Sequence, residues 1–154
     1  MAQITISDTT PRVNYTASSS QTAFTVNFPF FADSDLKVYQ DDVLQTLTTD
    51  YTVTGAGASA GGTMTLGTGA TSGDIISILR DIPVARTSDF PTSGAFQIDT
   101  LNTDLDKHTA MLQELEFDFR RTPKVKPAST TLDLVFPEPT ASKVIAWNTA
   151  GTAL

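Results

Sequence analysis

The sequence predicts a mainly β protein: a small antiparallel β-sandwich (Ig-like), followed by an extended arm, one long amphipathic α-helix and a short β or extended tail. Three observations carry that prediction. Up to about Leu79, apolar and polar residues alternate in short runs broken by Gly, Asp and Ser, which is the period of half-buried strands. After Arg80 the alternation stops, and Pro83 and Pro91 oppose helix. From Ile98 the apolar spacing becomes 3 and 4 and holds as far as Phe119, a helical period.

The elements follow in order. "FTVNF" sets Phe24, Val26 and Phe28 on one face and Thr25 and Asn27 on the other, so it reads as a half-buried strand. "RVNYTA" is its expected hairpin partner, joined through "SSSQ". Further strands are expected at "LKVY", "VLQTL", "DYTVTG", "GTMTLG" and "DIISILR", and about seven short strands suit a sandwich. "QDD" reads as a hairpin turn because Asp bonds nearby backbone, "TGAGASAGG" reads as a flexible loop, and Gly73 with Asp74 makes a further turn. The resulting division is a β domain over 1–80, an arm over 81–97, a helix over 98–121 closed off by Pro123, and a tail over 122–154. That tail offers two short strands, "LDLVF" and "KVIAW".

On the helix, Ile98, Leu101, Leu105, His108, Leu112, Leu115 and Phe119 form a heptad-spaced stripe, with the single histidine of the chain in a seam position. Such a stripe serves association between subunits or packing against the chain's own β domain, and about three heptads do not separate the two. His108 reads as a ligand or proton switch near a symmetry axis, or as a satisfied histidine interrupting the seam. Arg120 and Arg121 suit the negative end of the helix dipole.

Composition excludes several classes. Seventeen acidic residues against ten basic ones give a net charge of −7, the wrong sign for a phosphate-binding face, so no nucleic-acid partner is expected. The absence of cysteine rules out disulfides, thiolate nucleophiles and Cys-rich zinc sites. No window approaches the roughly 18 apolar residues of a membrane span, and the N-terminus lacks the pattern of a signal peptide. "GASAG" matches a nucleophile elbow around Ser59, but the strand-like "TMTL" follows where that elbow needs a helix. "DSD" (Asp33 to Asp35) and "QDD" read as turn-forming acids, since neither continues into a calcium loop. No catalytic residue, metal ligand or cofactor is expected, so the chain is read as a non-enzyme.

The ordered series "FTVNFPF", "LKVYQDDVLQT", "DYTVTG", "GGTMTL" and "GDIISILRDIPVARTSDFPTSGAFQIDTLNTDLDKHTAMLQELEFDFRRTPKVK" resembles the N-terminal virion-attachment domains of tail fibres and tailspikes of short-tailed bacteriophages. The most specific part runs from Gly73 to Pro123, and "SKVIAWNTAGTAL" resembles the segment that often follows. The resemblance implies a homotrimeric virion structural protein of the tail, an anchor or adaptor supporting host attachment. Its helix and arm, with Arg80, Pro83, Arg86, Phe90 and Phe96 as candidate contacts, would meet a tail hub, portal or adaptor protein. A C-terminal fibre shaft or a separate spike would continue outward. Two departures stand out: "QDD" replaces a Gly-containing turn, and the chain stops at Leu154 without shaft or head, as a fragment of a longer fibre or a short adaptor would. The alternative is a carbohydrate-binding or adhesin-like β module.

Overall fold

Alternating side chains zip into two facing antiparallel sheets whose inner faces share one core. The computed structural model describes residues 4–86, 88–89, 93 and 95–122; the strands expected at "LDLVF" and "KVIAW" lie outside them. The strands are β1 (Arg12–Thr16), β2 (Gln21–Val26), β3 (Leu36–Gln40), β4 (Val43–Leu44), β5 (Tyr51–Thr54), β6 (Gly62–Ala70) and β7 (Ile75–Arg80), and the helix is α1 (Ile98–Arg120). One sheet has the order β1-β7-β3-β4 and the other β2-β6-β5, with every pairing antiparallel. The chain crosses between sheets after β1, β2, β4 and β6. The mainly β sandwich followed by one long helix is therefore the observed architecture.

The predicted pairing of "RVNYTA" with "FTVNF" is corrected. β1 pairs with β7, from Arg12 opposite Leu79 to Thr16 opposite Ile75, whereas β2 pairs with β6. The polar segment after Ala17 carries the chain from one sheet to the other. Its anchors are local: Ala17 donates its N–H to Asp74 O at 2.8 Å and accepts from Gly73 N at 2.9 Å, which ties the end of β1 to the β6–β7 turn. Tyr15 and Phe24 still meet, but across the sandwich, with ring centroids 5.6 Å apart and the Tyr15 hydroxyl donating to Thr25 O. A short polar linker between two alternating runs is compatible with a hairpin or an arch, and here shared burial selects the arch.

The core draws on both inner faces: Phe24, Val26, Met64, Leu66, Tyr51 and Val53 from one sheet, Leu36, Val38, Ile76 and Ile78 from the other. Phe28 and Phe30 extend it beyond β2 and are fully buried, each contributing about 1.5–3 kcal/mol of hydrophobic stabilisation. The turns behave as their residues require. Asp41 and Asp42 hold φ of 48° and 66° in the two-residue β3–β4 hairpin, the left-handed pair that such a loop needs. Asp35 is buried at the end of a single 3₁₀ turn, where its Oδ2 accepts the N–H groups of Phe31 and Ala32 at 3.1 and 2.8 Å. Gly61 has φ 82° and so little room that a Cβ would lie 2.1 Å from Val26 O; any other residue would push the loop off β2. "VLQTL" forms only the two residues of β4, because Asp50 Oδ2 takes the Thr46 N–H at 2.8 Å and turns the chain toward β5. "GTMTLG" runs on to Ala70.

Candidate functional site

β7 ends by aiming a charge into the molecule. Ile76, Ile78 and Arg80 share one parity, so Arg80 continues the inward face of the strand and its side chain has 0% exposure. A buried guanidinium must find acceptors for its donors or destabilise the fold. Arg80 finds them on two segments, the stretch after β2 and the helix: Nη1 donates to Pro29 O at 2.9 Å, Nε to Glu114 Oε1 at 2.8 Å, and Nη2 to Gln113 Oε1 at 2.9 Å and Ala110 O at 3.1 Å. Its guanidinium carbon also lies 6.0 Å from the Phe28 ring centroid.

That cluster is what docks the helix. Ala110, Gln113, Glu114 and Phe117 are spaced i, i+3, i+4 and i+7 and therefore lie on one helical face. Ala110 is fully buried, Gln113 Nε2 donates to Ser7 O at 2.7 Å, and Glu114 Oε2 accepts the Ile82 N–H at 3.1 Å. Lys107, on the flank of the same face, sits 5.8 Å from the Phe31 ring centroid. Burial pushes the Glu114 carboxyl above the ordinary glutamate range, outweighing the opposite pull of the Ile82 N–H and the Arg80 guanidinium.

The helix thus turns a largely polar face inward, and its apolar stripe projects on the opposite side. Leu112 and Leu115 are 65% and 66% exposed, and Ile98, Leu105, His108 and Phe119 are exposed as well; Leu101 alone of the predicted stripe is half-buried. The structure gathers all seven positions on the helix face turned away from the clamp, about 32 Å from Ile98 to Phe119. His108 accepts no burial there: its Nδ1 lies 2.8 Å from Asp104 O, one turn back on the same helix. The helix ends as its charges suggest, with Asp99 in the first turn and Arg120 paired to Glu116 at 2.6 Å in the last.

The arm residues divide. Arg80 is corrected from an outward contact to the internal clamp just described, because its strand parity points it inward. Pro83 and Phe96 are exposed, Arg86 is exposed within 3.9 Å of Asp89, and Phe90 lies outside the described residues. Ile82 is buried, and Ser88 hydrogen-bonds the Asp104 carboxylate, so the arm is held at its start and again against the helix. Ser59 accepts the Thr5 N–H at 2.8 Å, and β6 begins three residues later. Glu114 and Gln113 as clamp partners escaped the sequence reading. The signal that could have found them was Arg80 itself, a charge at an inward strand position that demands acceptors elsewhere.

The fold and this geometry define a mainly β module carrying a helix whose apolar face looks away from its own core. In sequence the module is similar to part of the tail spike protein of Salmonella phage epsilon15, with 33% identity over 117 residues, which is 73% of this chain and 11% of that protein. The chain thus matches about a ninth of the relative's length. No protein-family model matches. The similarity supports a structural role in a phage tail and suggests a location in the virion tail.

Proposed function

We propose that this chain anchors a trimeric tail fibre or tailspike to the tail, or acts as its adaptor, and so supports host attachment. The role is structural, with no chemistry of its own. The observation that carries the reading is the outward stripe of α1. A helix that satisfies its own domain through Arg80 and still exposes Leu105, Leu112 and Leu115 in heptad register has an apolar seam left for other helices. Copies of the same helix fit it best, because seam positions of one chain then meet the same positions of the next. The attachment setting is supported by the likeness to a phage tail spike and by the ordered motifs from Gly73 to Pro123.

Tails of the phage that encodes this chain, purified without their spike, test the reading. The added chain is expected to sediment with them saturably and to appear as extra density at the tail in electron micrographs. Failure to be retained, or equal retention on tails of an unrelated phage, overturns it.

A further inference from the structure

The sandwich carries a second exposed apolar group, at the end away from the helix. Arg80, opposite Leu36, marks the helix end of the β3–β7 pair; Ile76, opposite Gln40, marks the other end, about 13 Å away at strand rise. Around that far end Val43, Leu44 and Ile75 are 63%, 54% and 44% exposed. They belong to two neighbouring turns joined by one backbone bond and one side-chain bond, since Asp41 N donates to Ile75 O at 3.0 Å and Ile75 N donates to the Asp41 carboxylate Oδ1 at 2.8 Å.

The charges there have one sign. Residues 40–44 and 71–75 hold Asp41, Asp42 and Asp74 and no lysine or arginine. Two of the three acids have internal work: Asp41 as above, and Asp74, whose Oδ2 accepts from Gln40 Nε2 and Thr71 N. Asp42 takes no side-chain hydrogen bond among the described residues, although its φ of 66° is a conformation glycine would adopt more cheaply. The turn accounts for an aspartate at that φ, but it leaves the Asp42 carboxylate without a local hydrogen bond among the described residues.

We propose that this tip is the surface by which the chain docks on a virion protein, and that the partner presents an apolar socket rimmed by lysine and arginine. This rests on the reading that the chain attaches to a tail. Charge selects the occupant: a second copy of the same face would set carboxylates against carboxylates, whereas a basic rim pairs with them while Val43, Leu44 and Ile75 fill the socket. The tip and the helix stripe lie at different places on the module, so association of copies and docking can occur together.

The test compares the wild-type chain with the triple variant Asp42→Asn, Val43→Thr, Leu44→Thr on spike-depleted tails. Asn keeps the left-handed backbone while removing the charge, and Thr suits an exposed strand. The variant should keep the wild-type melting temperature and oligomeric mass yet bind tails roughly tenfold or more weakly, as loss of an apolar centre and a charge pair requires. Wild-type binding should also weaken as salt rises from about 0.05 M to about 0.5 M. A variant that folds and binds within about twofold of wild type overturns the tip as the docking surface and leaves attachment standing. If the wild-type chain is not retained at all, the tip and the attachment reading fall together. Should the triple variant melt early, Asp42→Asn alone carries the test, and an unchanged salt dependence in it counts against the proposal.

Discussion

Arg80 is a guanidinium at the position where β7 would otherwise place a third inward isoleucine-like side chain. Its four hydrogen bonds reach Pro29, Ala110, Gln113 and Glu114, so one residue joins the end of the sandwich to the helix. Replacing it with Met keeps much of the stem but strands a half-buried carboxylate and several acceptors. Arg80→Met is expected to cost about 3–5 kcal/mol, read from the midpoint of urea unfolding, and Arg80→Met with Glu114→Leu should recover part of that loss. A cost below about 0.5 kcal/mol would show that the clamp is incidental. At this scale the strand parity was legible in "IISILR", but its consequence was not, because the acceptors lie more than 30 residues away on another element.

The helix shows what a periodic pattern does and does not specify. Heptad spacing located the stripe, and the described helix, Ile98–Arg120, ends one residue before the expected boundary. Which face meets the domain could not be read from it, since apolar faces usually go inward; here the acceptors for Arg80 take that place. The β1–β2 region failed for a similar reason: alternation fixed the strands and their inner faces, but partners were chosen by a core that spans both sheets. A pH dependence belongs to this scale. Because burial raises the Glu114 carboxyl above its ordinary value, the folded chain binds that proton more readily than the unfolded one. The group's contribution to stability therefore grows as pH falls from neutral through the raised value, and is lost as pH rises through it. Mild acid should not release the helix through Glu114. Hydrogen exchange at the Ile82 amide, corrected for intrinsic rate, should be as slow or slower at about pH 5 than at about pH 7. Faster exchange in acid would mean that Arg80 holds the carboxyl below its ordinary range instead.

At the scale of the whole molecule, three features are set apart: a sandwich with its own core, a helix docked by a polar clamp, and two exposed apolar surfaces at separate places. The clamp makes the stripe an outward face with a fixed orientation on its sandwich, so copies joined through it would present their tips in a set arrangement. The stripe was legible in the sequence because period 3.5 and period 3.6 both mark it. The tip was not, because "VL" and "DI" are too short to show a pattern, and only the pairing of β3 with β4 and β7 brings them near each other. The measurement closest to the central claim is the mass of the chain in solution by light scattering, for wild type and for Leu105→Ser with Leu112→Ser. The wild type is expected at three times 16.5 kDa, and the double variant, with its sandwich still folded, as a monomer. A wild-type mass of 16.5 kDa at high concentration, or a trimer that survives both substitutions, would contradict the assignment of the stripe as the seam between copies.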